Sequence, residues 1–495
     1  MKNIFFPLMA CVLMVFTGCY KDKGNYSYHP INEVTEISNI DEGYVMLYGN
    51  TLSIKPAVRM SIDSNANLAD TNKFGYQWIS YKYNVAVGDT IRTVFATTPT
   101  LEWAANLKPD TYTCFFKITD KSTGLSQQKR FMLKITTMIT NGLLILNDVN
   151  GKARLDMLSY LLTRDTLIDD VLKFTVAGMP EITNPKALRR YSTLTGDMTY
   201  ILGDKAAYKV DNLYMKWKST YSLPYDFVNA GDITTAEAMA SNESSLNFCI
   251  SGGNVYFNFA PMGVPAFALP VNRMKGATGM FRAAPFVAMG TGMIGVLYND
   301  DEKRFVAFNP YARSSESSDL PDNFTTGLDL IWMGDSRFLN GQSSAVVGDR
   351  KKGIYKLYKF GPDYGAVRYD GVYDISGYPE IGNATSFAIS NTYGFLFYAA
   401  GGKLYEADAA TGLARLMVDL GNEKITSLYI PNFYNFSGPL ADLENCVMVA
   451  SYNPAKAAGS NGTIRQYWIE SRLDPLILVR TIEGVGKVVE MLYKK

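Results

Sequence analysis

Histidine is nearly absent from this chain of 495 residues, in which His29 is the only one. Catalysis by Ser-His-Asp or Cys-His groups requires an imidazole beside the reacting atoms, and many zinc sites are built on histidine. Catalysis of that kind and histidine-ligated metal sites are therefore excluded for the whole chain after residue 29. No other pattern in the sequence predicts a metal or an organic cofactor.

The chain also lacks an excess of basic residues. It has 48 Lys and Arg against 47 Asp and Glu, which gives a formal charge of +1. Nucleic-acid binding and attachment to an anionic membrane surface both depend on clustered positive charge. The sequence therefore predicts no nucleic-acid partner.

Cysteine is scarce and lacks a metal-binding spacing. The five residues, none in a C-x-x-C pair, are Cys11, Cys19, Cys114, Cys249 and Cys446. The last three lie in predicted strands, where cysteine acts as a small apolar residue. A disulfide among them stays open, because separation in sequence says nothing about geometry.

The N-terminus carries an apolar stretch, Ile4 to Phe16, that is too short to span a bilayer and is typical of an export signal. It ends in Thr17-Gly18-Cys19, which resembles the lipobox of bacterial lipoproteins, where cleavage precedes a cysteine that is then acylated. We therefore expect residues 1–18 to be a signal peptide, Cys19 to be lipidated, and residues 19–30 to be a tether. The alternative is an ordinary secretory signal with an incidental cysteine.

Residues 31–138 show the pattern of an antiparallel β-sandwich. Gly75 to Tyr81 alternates apolar and polar residues and places Trp78 as a central core residue. Further on, a turn precedes Tyr112, as at the corner of immunoglobulin-like folds. The strand Phe131 to Ile135 closes this predicted unit.

The chain from residue 141 to 495 is organised by a repeated hairpin. An apolar run, a polar turn and an alternating run recur, and one position of the second run is occupied by Tyr208, Tyr256, Phe305, Tyr355 and Tyr405, with weaker copies at Arg154 and Arg465. The spacing between the five aromatic positions is close to 50 residues. Hairpins at a near-constant period predict a radial array of small sheets. The fold class is therefore all-β, a sandwich followed by a seven-bladed β-propeller.

The two ends of this repeated region complement each other. The first hairpin starts at Leu143, so it lacks an inner strand of its own, whereas Gly486 to Leu492 is an apolar strand left over at the C-terminus. An unpaired apolar strand is an aggregation hazard. We therefore expect it to pair beside Leu143 to Asn147 and to close the propeller.

Five segments of the chain form a joint pattern: the strand around Trp78, the strand from Tyr112 to Asp120, Gly18 to Asp22, Asn150 to Asp156 and the ending Gly486 to Val489. Together they resemble the PKD-like family of surface lipoproteins. This resemblance implies a lipid-anchored protein of the outer membrane that is exposed at the cell surface, with the periplasmic face of that membrane as the alternative. It also implies TonB-dependent transporters and their partner lipoproteins as partners in nutrient capture, and it brings no catalytic residues.

Two further motifs favour ordinary structural roles. Gly290 to Gly295 matches G-x-G-x-x-G, but a predicted strand follows where dinucleotide binding needs a helix. Asp63 to Asn67 spaces oxygen atoms as calcium loops do, yet the glycine and the final acidic residue of such a loop are missing. A solvated loop is favoured, and calcium at residues 63–70 stays open.

Two aromatic segments are candidate ligand-binding sites. The first contains Tyr214, Trp217 and Tyr221, and the second, in the loop Pro431 to Pro439, contains Phe433, Tyr434 and Phe436. Flat rings beside polar donors suit the faces of sugars. Both segments could instead be packing aromatics, in an outer strand or under a long loop.

The function that these patterns favour is a non-catalytic outer-membrane lipoprotein that serves as a glycan-binding or scaffold component of a polysaccharide uptake system. One alternative is a propeller glycosidase with a carboxylate pair, although nothing singles out such a pair among 47 acidic residues. The other alternative is an accessory subunit that contacts only protein.

Overall fold

The computed structural model describes residues 31–63, 65–84, 88–160, 165–242, 244–290, 292–312, 314–363, 365–432 and 443–494. The fold is all-β and divides into two compact units, an N-terminal unit that ends at Thr136 and a C-terminal unit that begins at Thr137. Cys19 and the predicted signal peptide and tether lie outside the described residues.

The N-terminal unit is a β-sandwich. Its strands are β1 (Val34–Ser38), β2 (Gly43–Leu47), β3 (Thr51–Ile54), β4 (Ala57–Met60), β5 (Phe74–Asn84), β6 (Asp89–Ala96), β7 (Leu101–Ala104), β8 (Asp110–Asp120) and β9 (Ser126–Thr136). A five-stranded sheet in the order β2-β9-β8-β5-β6 shares one hydrophobic core with the pairs β1-β4 and β3-β7.

Trp78 lies at the centre of this core, as its alternating strand predicts. Its side chain is fully buried, its ring centroid lies 4.6 Å from that of Phe116, and its indole N–H donates to the Thr98 carbonyl at 2.9 Å. The Tyr112 hydroxyl donates to the carbonyl of Lys108 at 2.6 Å, four residues upstream, which is the corner arrangement expected from the turn before it.

The C-terminal unit consists of short strands with brief helical turns between them. Its strands are β10 (Gly142–Val149), β11 (Lys152–Tyr160), β12 (Asp165–Ile168), β13 (Ala187–Thr193), β14 (Gly196–Leu202), β15 (Ala207–Asp211), β16 (Ala238–Ser241), β17 (Leu246–Ser251), β18 (Asn254–Phe259), β19 (Gly295–Asn299), β20 (Arg304–Phe308), β21 (Ser318–Asp319), β22 (Asp329–Asp335), β23 (Ser343–Asp349), β24 (Ile354–Pro362), β25 (Val367–Asp374), β26 (Ser386–Ile389), β27 (Leu396–Ala400), β28 (Lys403–Asp408), β29 (Leu413–Asp419), β30 (Lys424–Tyr429), β31 (Cys446–Tyr452), β32 (Gly462–Trp468), β33 (Ile477–Val485) and β34 (Lys487–Lys494). The helical pieces are α1 (Val171–Phe174) and 3₁₀ turns at Ser219–Tyr221, Leu223–Asp226, Ala260–Met262, Pro310–Ala312, Asp322–Phe324, Phe338–Asn340 and Ile381–Asn383.

These strands form seven separate antiparallel sheets in the described part of the unit, a propeller-like arrangement. Sheets 1 to 7 have the orders β34-β10-β11-β12, β13-β14-β15, β16-β17-β18, β19-β20-β21, β22-β23-β24-β25, β26-β27-β28-β29 and β30-β31-β32-β33. Each predicted hairpin is present, and the repeated position falls on β11, β15, β18, β20, β24, β28 and β32. Only sheet 1 takes a strand from the far end of the chain.

That strand is β34, which pairs antiparallel with β10 as the sequence predicts. Leu143 is opposite Tyr493 and Ile145 is opposite Met491, and the register shifts by a bulge between Leu146 and Asn147. The first sheet is therefore completed by the last strand.

Hydrophobic clusters lie between consecutive sheets. Because neighbouring residues of a strand point to opposite faces, each sheet packs on the one before and the one after it. In β10, Leu144 and Leu146 belong to a cluster shared with sheet 2, whereas Leu143 and Ile145 belong to a cluster shared with sheet 7. Similar clusters join sheets 2 and 3, 3 and 4, 4 and 5, 5 and 6, and 6 and 7.

Candidate functional site

In six of the seven sheets, all except sheet 4, one strand lies next to the corresponding strand of a neighbouring sheet. Contacts of this kind join β30 to β34, β34 to β13, β13 to β16, β22 to β26 and β26 to β30. We call β34, β13, β16, β22, β26 and β30 the inner strands. Three of these strands end at residues that line a common cavity, namely Ser241 in β16, Tyr429 in β30 and Lys494 in β34.

A cavity of about 180 Å³ lies at this end and is called here the inner-strand cavity. Sheets 1, 2, 3 and 7 supply its wall. The lining residues are Arg190, Asp197, Thr199, Asn212, Ser241, Tyr429, Asn432, Leu492, Tyr493 and Lys494.

The charged groups of the inner-strand cavity are Arg190, Asp197 and Lys494. Nε of Arg190 lies 2.8 Å from Oδ2 of Asp197, so these two opposite charges are paired. Nζ of Lys494 donates to the carbonyls of Ile139 and Thr140, at 2.9 Å in the second case, and the residue is 2% exposed. Burial lowers the pKa of Lys494 to about 7, although the carboxylate of Asp211 acts in the opposite direction.

Neutral polar groups complete the wall. Oδ1 of Asn212 accepts a hydrogen bond from the Thr199 hydroxyl at 2.7 Å, and Nδ2 of Asn432 donates to the carbonyl of Asp335 at 3.0 Å. The hydroxyl of Tyr429 accepts from the backbone N–H of Tyr493 at 2.9 Å. The cavity thus combines fixed amides with two tyrosines.

Side-chain hydrogen bonds from sheets 5 and 6 hold the segment that carries Asn432. The backbone N–H of Arg337 donates to Oδ1 of Asn391 at 3.0 Å, and Nδ2 of Asn391 donates to the carbonyl of Pro431 at 2.7 Å. The Arg337 guanidinium also pairs with the Glu444 carboxylate at 2.5 Å. Asn432 is therefore placed in advance of any ligand, which lowers the ordering cost of binding.

The first predicted aromatic segment adjoins the inner-strand cavity but does not line it. Tyr214 is exposed, whereas Trp217 is half-buried, with its ring centroid 5.9 Å from that of Tyr208. Tyr221 lies under Nζ of Lys218 at 4.6 Å. The three rings thus have different neighbours, and their predicted role in ligand binding stays a prediction.

The second segment, with Phe433, Tyr434 and Phe436, lies outside the described residues. Asn432, which directly precedes it, lines the cavity, as does Asn212, two residues before Tyr214. The structure therefore brings Asn212 and Asn432, which precede the two predicted segments, to one place. The sequence did not predict the other lining residues, because polar residues at strand ends look like ordinary solvated turns. These residues include Arg190, Asp197, Tyr429, Tyr493 and Lys494.

The remaining sequence motifs have structural roles. Cys114, Cys249 and Cys446 are free and buried, so the possibility of a disulfide among them, left open by the sequence, is not realised. Burial raises the pKa of the Cys114 thiol to about 12. In the loop considered for calcium, Oδ1 of Asp63 accepts the N–H of Asn65 at 3.0 Å, which is how a self-contained turn is built. After Gly290 the chain continues into strand β19 and not into a helix.

No group of three or more His, Cys, Asp or Glu side chains in the described ranges is arranged to hold a metal ion. Within the same ranges, no helix has the length and apolar composition that a membrane crossing requires.

A buried carboxyl group lies away from the cavity, in β28. Glu406 is fully buried, Oε1 accepts the backbone N–H of Leu473 at 2.8 Å, and Oε2 has no hydrogen-bond partner within the described part of the chain. Burial raises the pKa of Glu406 to about 7, and the nearby carboxylate of Asp408 acts in the same direction.

Glu406 should make stability depend on pH. Because its pKa is raised in the folded state, the folded chain holds a proton between pH 4.5 and 7 that the unfolded chain releases, so stability falls as pH rises through this window. The effect is at most about 3 kcal/mol, since one pKa unit corresponds to about 1.4 kcal/mol. Urea melts of the Glu406→Gln variant should lose this part of the pH dependence, and a variant with the slope of the natural chain would contradict the assignment.

Comparison with known proteins adds a family likeness at the N-terminus. A family model described as the PKD-like family matches residues 19–182, which include the N-terminal unit and the first three strands of the C-terminal unit. The chain is similar to that family over these residues. A search among curated proteins finds no match.

Several solved structures match this chain at low sequence identity. A quinonprotein alcohol dehydrogenase-like protein from Bacteroides thetaiotaomicron has a TM-score of 0.46 and 12% identity, with 94% of this chain and 99% of that chain covered. A candidate 6-phosphogluconolactonase from Bacteroides uniformis has a TM-score of 0.44 and 12% identity, with 72% and 99% covered. The extracellular domain of a candidate one-component system from Bacteroides thetaiotaomicron has a TM-score of 0.41 and 11% identity, with 93% and 69% covered. Structural similarities with such low TM-scores and identities do not indicate the activity of this protein.

Proposed function

We propose that this protein is a non-catalytic lipoprotein of the outer membrane, which binds a glycan at the inner-strand cavity as part of a polysaccharide uptake system. In this proposal the C-terminal unit is a closed seven-bladed propeller, and β34 is the inner strand of its first blade. The pairing of β34 with β10 supports closure, as does the hydrophobic cluster shared by sheets 7 and 1.

The chemistry of the inner-strand cavity carries the proposal. Sugar hydroxyls need donors and acceptors in fixed positions, and the amides of Asn212 and Asn432 provide both. The cavity volume of about 180 Å³ is below the roughly 300 Å³ at which pockets for drug-sized ligands begin. The cavity therefore suits one sugar residue at the end of a glycan, and the neighbouring loops would contact the rest.

The same residues favour binding over hydrolysis. Among the lining residues, Asp197 is the single carboxylate, and it is paired with Arg190. Glycosidases of the usual kind place two carboxyl groups on opposite sides of the scissile bond, about 5 to 10 Å apart. The cavity offers no such pair in the part that the structure describes.

The glycan proposal is tested by titrating the purified chain, without its signal peptide, against the saccharides that it retains on a glycan array. The Asn212→Ala, Asn432→Ala double variant should bind about tenfold or more weakly, because each amide contributes hydrogen bonds to the ligand. Lys352→Ala, at an exposed turn of sheet 5, is the matched control and should bind like the natural chain. Retention of a transporter with no retained saccharide would favour the protein-contacting alternative.

The lipid anchor rests on Gly18-Cys19 and on the family likeness that starts at residue 19. The Cys19→Ala variant should lose labelling by a fatty acid analogue and should leave the membrane fraction, because the acylated thiol is gone. A variant that still carried the label would contradict lipidation at Cys19.

A further inference from the structure

The described lining of the inner-strand cavity has more cationic than anionic side chains. Two of these residues are cationic, Arg190 and Lys494, and one is anionic, Asp197. The 2.8 Å pair matches Arg190 with Asp197, whereas no carboxylate in the described ranges forms an ion pair with Lys494. Among the described lining residues, Lys494 is therefore the cation without an ion-pair partner, although the Asp211 carboxylate, outside the lining, also acts on it.

Lys494 is placed to use this charge. Its ammonium group has three N–H donors, and two of them are directed to the carbonyls of Ile139 and Thr140. These bonds fix the position of Nζ on a residue that lines the cavity, and one donor of the ammonium group remains. An anionic oxygen is the acceptor that such a donor binds most strongly.

We infer that the inner-strand cavity selects a sugar that carries a carboxylate, a hexuronate residue, and that Lys494 binds this carboxylate. This inference rests on the proposed glycan-binding function and specifies its ligand class. A hexuronate carries one negative charge, which matches Lys494, the cation of the described lining that forms no ion pair there, and its hydroxyls suit the amides of Asn212 and Asn432.

The test compares D-galacturonate with D-galactose by calorimetric titration at pH 6, where Lys494 is protonated. The natural chain should bind galacturonate about tenfold or more tightly, because a hydrogen bond to a charged group contributes more than one between neutral groups. Lys494→Gln should abolish this preference. Lys487→Gln, on the same strand but outside the cavity lining, is the control and should keep it.

A second variant keeps the inference testable if Lys494→Gln does not fold. Asp197→Asn removes the negative charge beside Arg190, so it should increase the preference for galacturonate. Equal affinities of the natural chain for the two sugars, a preference that survives in folded Lys494→Gln, or tighter binding of galactose 6-sulfate would overturn the inference while leaving glycan binding intact. If the chain bound neither sugar nor their oligomers, the proposed function would fail as well.

Discussion

Removal of residues 487–495 is expected to abolish the cooperative unfolding of the C-terminal unit. β34 covers β10, whose residues Leu143 to Leu146 are fully buried, and it contributes Val488 and Met491 to the cluster between sheets 7 and 1. Each buried side chain of this size contributes about 1.5 to 3 kcal/mol. The loss of several such contacts approaches the whole stability of a domain, about 5 to 15 kcal/mol.

Urea unfolding followed by circular dichroism measures this effect. The N-terminal unit should keep its own transition, because its core includes no residue of the deleted strand. A synthetic peptide of residues 486–495 should restore the lost transition when it is added to the truncated chain. A truncated protein with an unchanged midpoint would show that β34 does not close the unit.

Replacement of Asp156 by alanine should destabilise the C-terminal unit by about 3 kcal/mol, the lower end of the usual cost of removing one partner of a buried charge pair, because Arg154 keeps its pair with Asp169 at 3.3 Å. The Asp156 carboxylate is fully buried and accepts from Asn147 at 2.8 Å, from Arg154 at 2.7 Å and from the backbone N–H of Asp170 at 3.0 Å. Arg154 also donates to the carbonyl of Gly459 at 2.8 Å, in the segment between β31 and β32. The carboxylate thus supports a contact between sheets 1 and 7.

Lys152→Ala is the matched control, since Lys152 is also in β11 but forms an exposed ion pair with Glu181. It should change the free energy of unfolding by less than about 1 kcal/mol. Equal effects of the two substitutions in denaturant melts would mean that Asp156 does not connect the sheets.

The repeated hairpins could be predicted because their core positions recur at a fixed spacing. Phe305, Tyr355 and Tyr405 occupy the same strand of sheets 4, 5 and 6 and are all buried. The weaker copies, Arg154 and Arg465, are held instead by ion pairs with Asp156 and Glu423. The spacing therefore reveals the strand, whereas the role of each side chain depends on the sheet beside it.

The inner-strand cavity could be predicted only in part. Asn212 and Asn432 are 220 residues apart in sequence, and Lys494 joins Arg190 only because the last strand completes the first sheet. Such proximity is a property of the packed sheets and leaves no local pattern. Aromatic density indicated the neighbouring segments, but Trp217 shows that an aromatic residue in a loop can equally serve packing.

The decisive experiment for glycan binding at the inner-strand cavity is a crystal structure of the chain soaked with its tightest-binding saccharide. A sugar residue is expected in the cavity, within hydrogen-bond distance of Asn212 and Asn432. A saccharide bound only at the outer strands of the sheets, with the cavity empty, would contradict this expectation.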